Sequence, residues 1–169
     1  QDTVTVTNTY ESSGELELSG SKQINGVPWT GTAGEYMFKL ASEDDPAFGN
    51  VPVTARVDAD GNFKFTLRYT FEQHVKDRQS TTYTYTLSEV SETAVGMTYD
   101  DTVYTISVSL ADDGAGAITP TATIAGTEQT SNFNGETQTS SLGGLDFNNL
   151  STGSLVVTKQ VTSNASTAG

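Results

Sequence analysis

The sequence predicts an all-β domain, a sandwich or barrel of short strands, and three observations carry that expectation. Apolar and polar residues alternate with a period of two in segment after segment, as half-buried strands require. Asp60-Gly61, Asp113-Gly114 and Asn134-Gly135, dipeptides that accept positive φ at little cost, separate the runs. Thr, Ser, Gly, Val and Tyr are abundant, and no long helical stripe of Leu, Ala, Lys or Glu appears.

The elements follow in order. Leu16, Leu18 and Ile24 share one parity in the first strand; Tyr36, Phe38 and Leu40 do so in the second. A longer run sets Phe63, Phe65, Leu67, Tyr69 and Phe71 on one face. Next come Tyr83, Tyr85 and Leu87, then Tyr104, Ile106, Val108 and Leu110, then a weaker stretch from Ile118 to Ile124. Leu145 and Phe147 close the domain. Between Glu72 and Ser80 charge is dense and alternation is lost, so that segment reads as a connection with room for a helical turn.

The 169 residues suit one domain, and 34% hydrophobic content supplies one thin core. A net charge of -13 with cations scattered singly argues against nucleic acid and against docking on an anionic membrane. No window reaches the length of an apolar membrane helix, and Gln1-Asp2-Thr3 lacks the features of a signal peptide, so the expectation is a mature or excised soluble fragment. Without cysteine, disulfides and thiolate chemistry are excluded, and any covalent staple must use other groups.

The two ends repeat each other weakly. Asn8-Thr9-Tyr10 leads through Ser12, Ser13 and Gly14 to Leu16, Leu18 and Lys22, while Asn149-Leu150 leads through Ser151, Thr152 and Gly153 to Leu155, Val157 and Lys159. Each is an Asn-terminated strand, a small-residue joint and a strand reaching a Lys, the punctuation of tandem repeats. The expected organisation is a tail of a preceding repeat or flanking strand over 1–12, a sandwich over 13–152, and over 153–169 the first strand of a following repeat or a flank. Asn8 and Lys159 would then serve neighbouring domains.

Parity also sets three polar residues on core-facing sides. Lys22 is in phase with Leu16, Leu18 and Ile24; Glu89 with Tyr83, Tyr85 and Leu87; Asn149 with Leu145 and Phe147. Each alone could sit at a strand end, Lys22 snorkelling outward and Glu89 opening a loop. Burying lone charges costs several kcal/mol, so buried groups pair or neutralise. Together the three types suit one reaction, amide formation between an amine and a carboxamide with release of ammonia. Burial lowers a lysine pKa and frees the nucleophile, and it raises a carboxyl pKa so that the acid can hydrogen-bond the carboxamide oxygen and shuttle protons. Contact between the reactants supplies the rest, with no cofactor or metal.

Leu18-Ser19-Gly20-Ser21-Lys22-Gln23-Ile24-Asn25-Gly26, with Trp29 and Gly34-Glu35-Tyr36-Met37-Phe38-Lys39-Leu40, resembles the opening of the streptococcal-type pilin isopeptide linkage domain. Tyr83-Thr84-Tyr85-Thr86-Leu87-Ser88-Glu89, then Gly96-Met97-Thr98-Tyr99-Asp100 and Val103-Tyr104-Thr105-Ile106, resembles that family's glutamate segment and the strand after it. Phe147-Asn148-Asn149 is similar to its closing Phe-x-Asn, although Leu150 follows where the family usually carries an aromatic. The likeness runs over roughly residues 14 to 152. It implies an immunoglobulin-like β-sandwich with an intramolecular Lys-Asn isopeptide bond joining Lys22 and Asn149, formed once by catalysis from Glu89, with Asn148 as a competing partner. It implies a structural shaft or stalk domain of a Gram-positive pilin or adhesin at the cell surface. Its partners would be neighbouring repeats and other pilin subunits, and turnover catalysis is not expected.

Other signals are set aside. Asp58-Ala59-Asp60-Gly61-Asn62 lacks the rest of a calcium loop and reads as a hairpin turn; Glu43-Asp44-Asp45 reads as a solvated acidic loop. His74, the only histidine, is expected on the surface. No nucleophile elbow or phosphate loop appears, and no carboxylate pair stands out for glycoside hydrolysis. The alternative function is a carbohydrate- or matrix-binding module on the same fold, with a small secreted hydrolase further behind.

Overall fold

The computed structural model describes residues 3–5 and 7–152; the expected strand over 153–169, with Lys159, lies outside the described residues. In chain order the elements are β1 (Ser13–Ile24), β2 (Val27–Pro28), β3 (Met37–Ala41), β4 (Val53–Arg56), β5 (Asn62–Thr70), α1 (Phe71–His74) and β6 (Thr82–Glu89). Then follow β7 (Met97–Thr98), β8 (Val103–Asp112), β9 (Ile118–Ile124), β10 (Asn132–Asn134), β11 (Thr139–Leu142) and β12 (Phe147–Ser151).

They form an all-β sandwich of two sheets. One sheet runs β10-β11-β1-β12-β7, with β2 and β5 also on β1; the other runs β4-β3-β6-β8-β9. In β6 the side chains alternate strictly, Tyr83, Tyr85, Leu87 and Glu89 inward and Thr82, Thr84 and Thr86 outward. Aromatic and β-branched residues fit such a half-buried pleat, one type on each face. Leu16, Leu18, Phe63, Phe65 and Phe147 of the first sheet pack with Phe38, Leu40, Leu87, Ile106 and Val108 of the second. Phe38 bridges the layers, its ring 3.9 Å from Phe63 and 5.3 Å from Phe147.

Strand β1 organises the first sheet. On one edge it pairs antiparallel with β5 from Ser13 to Ser21 and then with β2. On the other edge it pairs parallel first with β11, Glu15 to Leu18, and then with β12, Lys22 to Ile24. Between the two parallel partners the backbone of Leu145 crosses over Gly20, where a Cβ would fall 1.9 Å from the Leu145 carbonyl oxygen. Only glycine fits there, because the chain must switch partner without leaving the edge.

Some expectations are corrected. β4, exposed along most of its length, has no inward face to mark it in the sequence, and β2, β7, β10 and β11 are two to four residues long. The β5 run ends at Thr70, whose hydroxyl accepts the Gln73 N–H at 3.3 Å and starts α1, so Phe71 leaves the strand and packs edge-on against Tyr10 at 5.0 Å. His74 is fully buried, not on the surface. Its Nδ1 accepts the Thr70 N–H at 3.1 Å, so Nε2 carries the proton and donates to Asp45 Oδ1 at 2.9 Å. The acidic loop is correspondingly not all solvated: Asp45 is 5% exposed and also accepts from the hydroxyl of Tyr85, which in turn meets that of Tyr69 at 2.9 Å. Asp58 serves the β4–β5 turn, accepting from the Asp60 and Asn62 N–H groups.

Burial alone would raise the pKa of Asp45, but hydrogen bonds from His74, Tyr85 and the Ala47 N–H hold it below the ordinary 3.8. A carboxyl depressed on folding contributes stability that is complete above its unfolded pKa and lost as pH falls through the folded value. Asp45→Asn is therefore expected to reduce stability at pH 6, and the gap between variant and wild type should narrow as urea titrations are carried into acid, below the ordinary carboxylate value. An undiminished gap at low pH would show that the carboxylate charge is not what holds this cluster.

Candidate cross-linking site

Lys22 and Asn149 come from adjacent parallel strands of one sheet and Glu89 from the end of β6 in the other. Lys22 is in register with Phe147 and Ile24 with Asn149, so Lys22 and Asn149 are diagonal neighbours on the inward face. The register of Phe38 with Glu89 brings the carboxylate over them from the facing sheet. Lys22 and Asn149 are 0% exposed and Glu89 is 6% exposed. The main chain of Lys22 is fixed as well, its N–H donating to Gly61 at 2.7 Å and its carbonyl accepting from Trp29 at 3.0 Å.

One carboxylate serves both partners. Glu89 Oε2 lies 3.1 Å from Lys22 Nζ and accepts from Asn149 Nδ2 at 3.2 Å, while Oε1 accepts from Nζ at 3.3 Å. The carboxamide oxygen, expected to meet Glu89, instead accepts the main-chain N–H of Asp100 at 2.8 Å. The Tyr36 ring covers Nζ at 5.1 Å, and Trp29 and Tyr99 pack edge-on against Tyr36 at 5.2 and 6.5 Å. Burial pulls the Lys22 pKa down and pushes the Glu89 pKa up, each only partly offset by the other's charge. Both shifts move the balance away from the ion pair and toward the pair of neutral groups.

Asn148 takes a different place. Its Oδ1 accepts from the Gly26 N–H at 2.7 Å in an exposed turn, and its own N–H donates to Asp100 Oδ2 at 2.7 Å. Asn8 is exposed in the segment before β1. The contributions of Asp100 and Tyr99 had no signal in the strand pattern, because both lie in the irregular segment between β7 and β8.

These features define a class: an all-β sandwich with a lysine amine, an asparagine carboxamide and a glutamate carboxylate shared between them, sealed inside. The family of Spy0128-like isopeptide containing domains, FctA, matches residues 18–139, more than half of the chain, and the chain belongs to that family. The matched span contains Lys22 and Glu89 and ends before Asn149. Among solved structures the chain is similar to the major pilin of Streptococcus pyogenes, with 15% identity, a TM-score of 0.45, and coverage of 82% of this chain and 50% of that one. Two serotype forms of that major pilin match at 14% and 15% identity with TM-scores of 0.46, covering 82% and 83% of this chain and 52% and 54% of theirs. The chain thus spans about half the length of these pilins. No curated protein matches.

The protonation states of the pair lead to a pH prediction. The neutral amine with neutral acid holds as many protons as the ion pair, so its share does not change with pH between the pair's two macroscopic titrations. Amide formation, followed by intact mass on freshly synthesised protein, is expected to be level around neutrality. It should fall at low pH, where both groups hold protons, and at high pH, where Glu89 has lost its proton. A rate rising tenfold per pH unit through neutrality would mean that free lysine deprotonation, not exchange within the pair, supplies the nucleophile.

Proposed function

We propose that this chain is a structural stalk domain of a Gram-positive cell-surface pilin or adhesin, closed by an autocatalytic amide between Lys22 and Asn149. One observation carries the reading: a single oxygen, Glu89 Oε2, touches both the attacking nitrogen and the leaving nitrogen. The neutral Nζ attacks Asn149 Cγ, forming the C–N bond as the carbonyl π electrons move to Oδ1. Glu89 takes the surplus proton from Nζ and gives a proton to Nδ2. The Cγ–Nδ2 bond then breaks, the carbonyl re-forms and ammonia leaves. Atoms and charge balance without cofactor or metal, and the product cannot turn over again, so the domain is not an enzyme in the usual sense.

The placement gives the bond a mechanical meaning. β1 opens the sandwich and β12 closes it, side by side and parallel, so tension between the ends loads their junction in shear. A bridge from 22 to 149 would carry that load and would remove unfolded-state entropy worth about 5 kcal/mol if disulfide arithmetic transfers. The domain would be displayed at the bacterial surface through other parts of a longer protein, joined to neighbouring repeats and subunits. A sugar- or matrix-binding role receives less support: among the described residues the exposed aromatics are Tyr10 and Phe133, on separate elements, and the rest are buried or half-buried.

Intact mass spectrometry is expected to find the purified chain lighter than its sequence by one ammonia, with peptide mapping joining Lys22 to Asn149. Glu89→Gln and Glu89→Ala should fold and keep the full mass; an unmodified wild-type mass would overturn the proposal. In single-molecule extension between the termini, wild type is expected to lack the contour of residues 22 to 149 that Glu89→Ala releases. Equal lengthening of the two would show that the bridge does not bear load.

A further inference from the structure

The carboxamide of Asn149 has a fixed orientation. Asp100 N–H can only donate, so the atom facing it at 2.8 Å must be Oδ1, and Nδ2 is turned to Glu89. Glu89, engaged with both nitrogens, is on the wrong side of the carboxamide to stabilise negative charge growing on Oδ1. Some other donor must do so, because attack by Nζ turns that oxygen into an oxyanion inside an apolar interior.

Resting on the amide-forming reaction proposed above, the geometry points to the main-chain N–H of Asp100 as the oxyanion donor of the site, with the Asp100 carboxylate as the positioning group that holds it there. The carboxylate is tied at both oxygens: Oδ1 accepts the Thr102 N–H at 2.9 Å and Oδ2 accepts the Asn148 N–H at 2.7 Å. The second bond reaches the residue next to Asn149, so one side chain sets the distance between the donor and the strand that carries the electrophile. The irregular chain after β7, free of ladder bonds at Asp100, lets its N–H point across to β12 rather than along a sheet. The same clamp distinguishes the two asparagines. It presents the Asn149 oxygen to a half-buried main-chain donor, while the Asn148 side chain is held at the exposed Gly26 turn.

The test replaces single main-chain N–H groups by oxygen, using α-hydroxy acids incorporated during cell-free translation of the whole chain, and follows ammonia loss by intact mass in protein shown to be folded by circular dichroism. An ester at position 100 that keeps the aspartate side chain is expected to slow the reaction about a hundredfold, the usual cost of losing one oxyanion donor. An ester at position 102 removes a hydrogen bond of the same loop but not the donor, and is expected to slow it far less. Asp100→Asn retains the N–H but can accept only one of the two clamp bonds, so it is expected to slow the reaction measurably yet less than the position-100 ester; wild-type speed in this variant would overturn the positioning role, whether or not the ester chain folds.

Wild-type speed in a folded position-100 ester, or equal slowing by the two esters, would overturn this assignment while leaving the Lys22–Asn149 reaction standing. Asp100→Asn reacting as slowly as the position-100 ester would also overturn it, by placing the effect in the carboxylate. A wild type that never loses ammonia would overturn both this assignment and the reaction on which it rests.

Discussion

Strand β1 shares one edge between two parallel partners, and the geometry of the site follows from that division. Its first half is held by β11 and its second by β12, with the change made over Gly20, where the Leu145 backbone passes closer than any side chain would allow. If β11 continued along the edge, Lys22 would face another stretch of chain. Because β12 takes over with Phe147 against Lys22, the inward-facing Asn149 comes to lie one pleat repeat beyond the lysine. The register of the second sheet then needs only to set Glu89 opposite Phe38 for the three side chains to meet.

The sandwich buries two polar clusters, near opposite ends of β1, and they differ in kind. Around Asp45, each group has a partner of the matching sort: His74 donates from one ring nitrogen and accepts at the other, and the hydroxyls of Tyr85 and Tyr69 complete the chain. Such a cluster is stable because it is satisfied, and nothing in it can react with its neighbour. Around Glu89 the hydrogen bonds join a lysine amine and an asparagine carboxamide to one carboxylate, the arrangement on which the proposed amide formation rests. Desolvation pulls the lysine toward its neutral form there, the form that the proposed attack requires.

The inward faces of β5, β6 and β8 were legible in the sequence because Phe, Tyr, Ile and Val alternate with Thr, Ser and Lys over eight or more residues. The same periodicity placed Lys22, Glu89 and Asn149 indoors, since a two-residue period applies to polar residues as it does to apolar ones. β4 was not legible: an exposed edge strand has no buried face to write into its pattern. Nor was the burial of His74, which depends on α1 folding back over Asp45, a residue far away in the chain. Asp100 escaped for a related reason. Its contribution to Asn149 is a main-chain N–H in irregular structure, and a backbone group leaves no mark on the identity of the residue that bears it.

The strand that completes the site is the last of the described fold, and its partner is the first long one. Until residue 149 has docked beside β1, there is no sealed interior around Lys22, and the amine remains a hydrated, charged lysine like any other. Chemistry that depends on desolvation is thereby withheld from the nascent or threaded chain. Under the proposed reaction, a polypeptide of this design would pass extended through a narrow passage with its side chains inert, and its topology would close only when the two ends of the domain first lie side by side.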